Sequence, residues 1–291
     1  MVQLLLDSHV FHKGEKEMEK IIEINNLTKN FGKHRGIENI SFSVGKGESF
    51  GFLGPNGAGK TTTIRHLMGF IKSQSGSCRI NGMDCWKESD KIQKSLGYIP
   101  GEINFFDDMT GTEFLKFISK YKGITNLDRQ KELIERFELD PKGKIKKMSK
   151  GMKQKIGIIT AFMHDPDILI LDEPTSGLDP LMQNRFIELI AEEKTKGKTI
   201  LLSSHMFEEV ERTCDRIGII REGKMVTVDS VETLRERHMN KYTVTLETEK
   251  LAAEFAKDFD GIAHGKTVIV ASKQSLENIF MNYYGGDKND K

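Results

Sequence analysis

The fold of this chain is decided by nine residues, Gly54-Pro55-Asn56-Gly57-Ala58-Gly59-Lys60-Thr61-Thr62. An apolar run at 48–53 comes directly before them, and a helical pattern at 60–70 follows. Glycines at this spacing let backbone N–H groups wrap phosphate oxygens, and the start of the helix adds positive potential. Lys60 supplies a mobile charge for the β- and γ-phosphates, and the Thr61 hydroxyl suits Mg²⁺. All nine residues are therefore candidate contacts of a nucleoside triphosphate.

Strands and helices alternate on both sides of this loop. Apolar runs predict strands at 21–27, 37–44, 77–80, 168–171, 199–203 and 217–220. Helical patterns at 181–194 and 206–213 separate the last three strands, and residues 87–160 form a charged helical insertion with amphipathic stretches at 112–121 and 127–138. Buried strands that alternate with helices predict a mostly parallel sheet covered on both faces.

The two ends of the chain differ from this core. Residues 1–20 are mostly polar and are expected to be a loosely ordered extension. After residue 229, strands are predicted at 242–246 and 267–270, and helices at 251–259 and 275–284. Residues 230–291 are therefore expected to form a small separate α+β unit.

Two carboxylates follow the buried run Ile168-Leu169-Ile170-Leu171. An open α/β sheet presents its ligand groups at this end of its strands. Beside a phosphate-binding loop, Asp172 is interpreted as the Mg²⁺ ligand and Glu173 as the residue that positions or polarises the attacking water. The next strand ends in Ser204-His205, where a histidine taken alone is more often structural or solvated than functional.

Composition excludes several classes of protein. Among the 291 residues, 44 lysines and arginines nearly balance 43 aspartates and glutamates, which does not favour a nucleic-acid partner. The three cysteines form no Cys-x-x-Cys pair and are expected to be reduced and buried. No stretch approaches the ~20 apolar residues of a membrane-spanning helix. The chain is therefore not expected to cross a membrane by itself.

Residues 21–229 together resemble the nucleotide-binding subunits of ABC transporters. Ser149-Lys150-Gly151-Met152-Lys153-Gln154 stands where that family has its LSGGQ signature, and Ser176-Gly177-Leu178-Asp179 matches its D-loop. His205 matches the switch histidine, and Phe31 the aromatic residue that stacks on adenine. The resemblance implies an α/β fold with a P-loop NTPase core, an N-terminal antiparallel β subdomain, an inserted helical subdomain and a small α+β C-terminal unit.

The resemblance also implies the chemistry and the partners. Two subunits of this family sandwich two ATP molecules, and each site combines the P-loop of one chain with the signature of the other. Ser149, Gly151 and Asp179 would then serve the partner's nucleotide, while Glu173, His205 and Lys60 would be the catalytic residues of the chain's own site. ATP and Mg²⁺ are the expected cofactors. The expected partners are a second ATP-binding subunit, identical or different, and a membrane permease that holds the chain at the cytoplasmic face of the cell membrane.

Two motifs depart from the family pattern. Lys150 and Met152 replace a glycine and a glutamine of the signature, but Ser149 and Gly151 are retained, so a working site is expected. Gly101 stands after Pro100 where the family usually has a glutamine. Glu102 is a candidate substitute for that glutamine, and in that case Gly101→Gln is expected to be tolerated.

The segment that ends Ser-Leu-Glu-Asn-Ile-Phe-Met-Asn-Tyr-Tyr at 275–284 is similar to the tail of bacterial antibiotic or multidrug (ABC-2 type) export ATPases. The sequence therefore predicts an ATPase that powers export of a small molecule, drug or peptide through a separate permease. The tail is equally explained as an apolar cap on the core. The alternative function is a soluble ABC ATPase in translation or DNA repair, although such proteins usually have two nucleotide units or a long coiled coil.

Overall fold

The computed structural model describes residues 19–32, 35–106, 108–237, 240–272, 277–279 and 281. Its strands are β1 (Lys20–Asn30), β2 (Gly36–Gly45), β3 (Ser49–Leu53), β4 (Ser75–Ile80), β5 (Met83–Asp84), β6 (Leu96–Ile99), β7 (Ile168–Asp172), β8 (Thr199–Ser204), β9 (Arg216–Arg221), β10 (Lys224–Ser230), β11 (Asn240–Thr245), β12 (Ile262–His264) and β13 (Thr267–Ser272). Its α-helices are α1 (Lys60–Leu67), α2 (Ser89–Ser95), α3 (Gly111–Tyr121), α4 (Asp128–Arg136), α5 (Lys150–Phe162), α6 (Pro180–Thr195), α7 (Phe207–Thr213), α8 (Val231–Arg237) and α9 (Glu249–Asp258).

The central sheet has the strand order β10-β9-β3-β8-β7-β6. Strands β9, β3, β8, β7 and β6 are parallel, and β10 pairs antiparallel with β9 at the edge. Every residue of β3, β7 and β8 is buried, as expected for strands covered on both faces. The carboxyl ends of these three strands therefore meet at one edge of the sheet, where a ligand site belongs.

The side chains of the central strands alternate between two apolar clusters. Ile168 and Ile170 point towards the cluster that includes α1 and the antiparallel sheet β2-β1-β4-β5. Leu169 and Leu171 point towards the other cluster, which includes residues of α5, α6 and α7. Within the first cluster the rings of Phe42 and Phe50 stack at 4.9 Å. The predicted mostly parallel sheet, covered on both faces, is confirmed, and the edge of the sheet lies between two packed layers.

The helical insertion packs on the core through α3, α4 and α5. Thr110 begins α3 with a capping box, since its hydroxyl accepts from the Glu113 N–H and the Glu113 carboxylate accepts from the Thr110 N–H. Phe114 of α3 and Leu133 of α4 belong to the same apolar cluster as Phe162 of α5. One prediction for this region is wrong, because Leu96–Ile99 lies inside the stretch predicted to be helical yet forms β6 of the central sheet.

The C-terminal unit contains a three-stranded antiparallel sheet, β11-β13-β12, with α9 beside it. Val231 and Leu234 of α8 lie in the core cluster, and so does Ile279. Residues 277–279 and 281 are helical, and the rest of the helix predicted at 275–284 lies outside the described residues. Residues 1–18 of the predicted extension also lie outside them. Among the described residues, none of the helices has both the length and the apolar character needed to cross a membrane.

Candidate functional site

The loop between β3 and α1 adopts backbone conformations that require glycine. Gly57 and Gly59 adopt φ values of 81° and 113°, in the left-handed region that favours glycine. A Cβ atom on Gly59 would also lie 2.7 Å from the Cγ2 of Ile37. The Ala58 carbonyl accepts a hydrogen bond from the N–H of Gly223, in the turn between β9 and β10. The glycines are thus required by the loop conformation that turns its N–H groups towards a ligand.

Lys60, at the first position of α1, is almost fully buried. Its Nζ donates to the carbonyl oxygens of Gly54 at 2.5 Å and Pro55 at 3.3 Å. The same ammonium lies 3.0 Å from Glu173 Oε1, so this ion pair joins the start of α1 to the residue that follows β7. The structure therefore brings the phosphate-binding lysine and the predicted catalytic carboxylate into contact.

Glu173 is held in an uncommon conformation directly after β7. Its φ of 50° lies in the left-handed region, which costs free energy for a residue with a Cβ. Its N–H donates to Ser203, to the carbonyl at 3.1 Å and the hydroxyl at 3.3 Å. Its Oε2 lies 2.5 Å from His205 Nδ1. The two candidate catalytic residues from β7 and β8 are thus joined, and His205 remains half exposed towards solvent.

Asp172, the last residue of β7, has the features of a cation ligand. Its Oδ1 accepts from the Ser203 hydroxyl, while its Oδ2 is buried and accepts no hydrogen bond from any described residue. Burial raises the pKa of Asp172, and the hydroxyls of Ser203 and Thr61 act against that shift. A buried carboxylate oxygen without a partner, beside a hydroxyl, is a donor set that suits a hard divalent cation. Asp172 and Thr61 therefore fit Mg²⁺.

Gly101, two residues after the end of β6, lies beside Asp172 and Thr61. A Cβ atom built on it would lie 2.8 Å from Asp172 Oδ2 and 3.5 Å from Thr61 Oγ1. A side chain at Gly101 therefore requires the Asp172 carboxylate to shift, and the tolerance of Gly101→Gln stays a prediction. Glu102 is exposed, and within the described residues no hydrogen bond or ion pair joins it to Asp172 or Thr61.

Comparison with known proteins decides the family. A family model described as ABC transporter matches residues 37–176. The linearmycin resistance ATP-binding protein LnrL of Bacillus subtilis (strain 168) is 37% identical over 255 residues, covering 86% of this chain and 82% of LnrL. The bacitracin transport ATP-binding protein BcrA of Bacillus licheniformis is 34% identical over 304 residues, covering 92% of this chain and 99% of BcrA. This chain belongs to the ABC transporter family.

A solved structure agrees with this assignment. The ATP-binding subunit of an ABC transporter superposes with a TM-score of 0.68 at 31% identity, over 75% of this chain and 92% of that one. The predicted ABC fold is confirmed, and the chain is an ATP-binding and ATP-hydrolysing subunit. These relatives give no support to the alternative role in translation or DNA repair.

The ABC signature begins helix α5. Ser149 is its N-cap, because the hydroxyl accepts from the Met152 N–H at 3.2 Å, and its side chain is exposed. No hydrogen bond joins Ser149 or Gly151 to the loop 54–62 within the described part of the chain. Asp179 of the D-loop is the N-cap of α6, and its carboxylate accepts from the Met182 N–H at 3.0 Å. Both motifs thus lie at helix starts that do not contact the chain's own P-loop.

Phe31 comes directly after β1 with 53% of its surface exposed. The Lys29 ammonium lies 5.7 Å from the centre of its ring. A ring that is held at the end of a strand, yet open to solvent, can stack on a flat ligand. The structure therefore leaves Phe31 available for the predicted adenine contact.

Two polar residues around this ABC site, Ser203 and Glu209, were missed from the sequence, and Gln154 was quoted only as part of the signature, without its contact to Glu173. Ser203 contacts both Asp172 and Glu173, and Gln154 contacts the backbone of Glu173. Glu209 lies buried on α7, where its Oε2 accepts from the Ser204 hydroxyl at 2.6 Å. Ser203 could have been found, because it lies near the end of the buried strand that pairs with the carboxylate strand. Gln154 and Glu209 lie on helices, where their direction depends on packing that the sequence pattern does not give.

Proposed function

We propose that this ABC ATPase powers export of a small molecule, drug or peptide through a separate membrane permease. The printed names of LnrL and BcrA refer to antibiotic resistance and antibiotic transport. The matches cover 82% of LnrL and 99% of BcrA. A permease partner would hold the chain at the cytoplasmic face of the cell membrane. Residues 21–229 form the ATPase domain in this proposal, with the helical subdomain at about 87–160 and the small unit at 230–291.

The observation that carries the ATPase part of the proposal is the contact of Glu173 with both Lys60, at the start of α1, and His205, directly after β8. The nine residues of the P-loop would bind the phosphates of ATP, and Lys60 would turn from Glu173 to the β- and γ-phosphates. Glu173 then has a free oxygen to accept a hydrogen bond from the attacking water. His205, joined to the other oxygen, orients this carboxylate.

Thr61 and Asp172 would hold Mg²⁺. The bound ion would neutralise charge on the phosphate oxygens of ATP. Asp172 is well prepared for this role, because Ser203 orients one carboxylate oxygen and leaves the other without a partner. Phe31 would stack on adenine and contribute affinity.

The second half of each site would come from a second ATP-binding subunit, identical or different. Ser149 and the Gly151 backbone begin a helix, so their N–H groups suit the γ-phosphate of the partner's ATP. Asp179 would approach the partner's P-loop. Both helix starts are exposed and make no hydrogen bond to the chain's own loop 54–62 within the described residues, which agrees with a role across the interface.

Light scattering after size exclusion tests this arrangement. Glu173→Gln keeps the size of the side chain but loses its charge and basicity, so ATP should remain bound and link two chains. We expect a shift from monomer to dimer with Mg-ATP but not with Mg-ADP. Adding Ser149→Arg should abolish the dimer and leave ATP binding to the single chain intact.

Two results would contradict the proposal. A dimer that survives Ser149→Arg would remove the signature from the shared site. Glu173→Gln that stays monomeric while it holds ATP would show that isolated chains form no sandwich. Lys60→Ala is the control, since it should lose both turnover and the ATP-dependent dimer.

A further inference from the structure

Gln154 is a buried polar residue that the ATP site described above does not use. It lies one turn into α5, and 5% of its surface is exposed. Its Nε2 donates to the carbonyl of Pro174 at 2.6 Å and to the carbonyl of Glu173 at 3.5 Å. One side chain of the signature helix is therefore hydrogen-bonded to the backbone that carries the predicted catalytic carboxylate.

That backbone depends on outside support. Glu173 has a φ of 50°, and a residue with a Cβ keeps this conformation only where its surroundings fix it. The turn that follows is closed by one backbone bond, from the Ser176 N–H to the Glu173 carbonyl at 3.1 Å. Gln154 binds the same carbonyl and the next one. Glu173 is the first residue of this turn, so the conformation of the turn sets the direction of the Glu173 side chain.

The start of α5 contacts the second half of this turn, at Ser176 and Gly177. Lys150 Nζ donates to Ser176 Oγ at 2.9 Å. A Cβ atom on Gly177 would lie 2.9 Å from the Cγ and Cδ of Lys150, and one on Gly151 would lie 2.8 Å from the Gly177 carbonyl oxygen. The helix start therefore lies in close contact with Gly177, while Gln154 holds Pro174. Side chains four residues apart on one helix share a face, so Lys150 and Gln154 act on the turn together.

We propose that Gln154 is a positioning residue for Glu173, whose buried carboxamide fixes the turn after β7 so that the Glu173 carboxylate points at the attacking water. This inference rests on the proposed function, since it takes Glu173 as the residue that prepares the water. Gln154 touches neither nucleotide nor metal in this assignment. Its effect is on the chemical step and not on the binding of ATP.

Gln154→Met tests the proposal because it keeps the length of the side chain and removes the donor. At saturating Mg-ATP, kcat per folded molecule should fall about tenfold, the scale of one buried hydrogen bond. The KM for ATP should stay within about twofold, since the bonds of Gln154 go to Glu173 and Pro174 and not to the loop 54–62. Unchanged kcat would overturn the proposal.

Gln183→Met is the matched control. Gln183 is half-buried on α6, and its Nε2 donates to the Leu178 carbonyl at 3.2 Å. The variant removes a similar hydrogen bond a few residues further along, without a contact to Glu173. Its kcat should stay within about twofold of the wild type. An equal loss of kcat in both variants would mean that general loosening of the region, and not the position of Glu173, causes the effect.

Gln154→Glu gives a second readout that does not depend on the first variant. An ionised carboxylate would face two carbonyl oxygens that repel it, which should raise its pKa, whereas the protonated form can donate to Pro174. The ratio of variant kcat to wild-type kcat should therefore rise as the pH falls. A ratio that does not change with pH would contradict a donor role.

Failure of this inference differs from failure of the proposed function. Wild-type turnover that equals the turnover of Lys60→Ala would contradict the ATP site itself. Full turnover in Gln154→Met beside an inactive Lys60→Ala would contradict the positioning role alone. The unfolding temperature of each variant, measured alongside, separates a change in stability from a change in kcat.

Discussion

At the scale of single residues, Phe31 should affect the affinity for ATP and not the rate of its hydrolysis. Its ring is exposed and would stack on adenine equally in the ground state and the transition state, so Phe31→Ala should weaken binding without slowing the chemistry. We expect the Kd for ATP to rise roughly fivefold, the equivalent of about 1 kcal/mol of stacking, with kcat unchanged. Equilibrium binding and steady-state turnover measure the two quantities. Phe259→Ala, which removes a ring of similar exposure on the C-terminal unit, should change neither.

Gly101 is the position where the smallest added group should matter. Gly101→Ala would place a methyl 2.8 Å from Asp172 Oδ2 and displace the proposed Mg²⁺ ligand, at a cost of about 1–3 kcal/mol. We expect the Mg²⁺ concentration for half-maximal turnover to rise about tenfold, while ATP binding in the absence of Mg²⁺ stays as in the wild type. Gly143→Ala is the control, because the nearest atom to its added methyl is 3.9 Å away.

Glu102 gives the complementary result. If this exposed glutamate has taken over the usual glutamine's role, Glu102→Ala should lower basal or permease-stimulated turnover. Equal rates in Glu102→Ala and the wild type would assign Glu102 to the solvated surface.

For Gly101→Ala, an unchanged Mg²⁺ requirement would show that the Asp172 carboxylate can move away at little cost.

The residues with chemistry could be named from the sequence, but their contacts could not. The P-loop and the pair Asp172-Glu173 follow from spacing and strand context. The ion pair between Lys60 and Glu173 joins residues from different strands, and the approach of Gly101 to Asp172 depends on β6, which was not predicted. Contacts of this kind depend on the order of strands in the sheet, which the local pattern does not contain.

At the scale of secondary-structure elements, the junction of β8 and α7 contains a buried acid. Burial raises the pKa of Glu209 to about 7, and the hydroxyls of Ser204 and Thr175 act against that shift. The ordinary pKa is 4.5, so the folded chain keeps this proton over a range of pH in which the unfolded chain has lost it. The free energy of unfolding should therefore fall as the pH rises from about 4.5 to about 7, by about 3 kcal/mol, and level off above.

Glu209→Gln checks this sign. The variant should lose this part of the pH dependence, so it should be more stable than the wild type at pH ~8 and lose that advantage near pH ~5. Urea unfolding at the two pH values measures it. Glu208→Gln, a change at the exposed neighbour, should keep the wild-type slope. The same slope in Glu209→Gln and the wild type would show that Glu209 is ionised in the folded chain.

Elements with long apolar runs could be predicted, and short or half-polar ones could not. Strands β7 and β8 are continuous buried runs with turn residues after them. Strand β6 has four residues within a charged helical region, and β10 carries polar side chains at the sheet edge. Both are strands because the neighbouring strand offers backbone hydrogen bonds, which is a tertiary effect that local propensity does not report.

At the scale of the whole molecule, the proposed permease partner decides whether ATP hydrolysis by this chain drives transport. We expect the chain to co-purify from detergent-solubilised membranes with a membrane-spanning permease subunit, and its turnover to rise in that complex. Expression of the pair should raise the resistance of a sensitive host to a compound that the transporter exports. Lys60→Ala should co-purify equally and give no resistance. A chain that stays in the soluble fraction and turns over at its basal rate would remove the permease from the proposal.

The ion pair between Lys60 and Glu173 also affects which ligands an empty subunit accepts. In the empty subunit the Glu173 carboxylate is already paired with the Lys60 ammonium and competes with any incoming anion. A small anion such as inorganic phosphate has to displace that competitor with few other contacts, whereas ATP adds a ring, three phosphates and a metal. An empty subunit should therefore discriminate against the abundant simple anions around it, and selectivity for ATP begins before any nucleotide arrives.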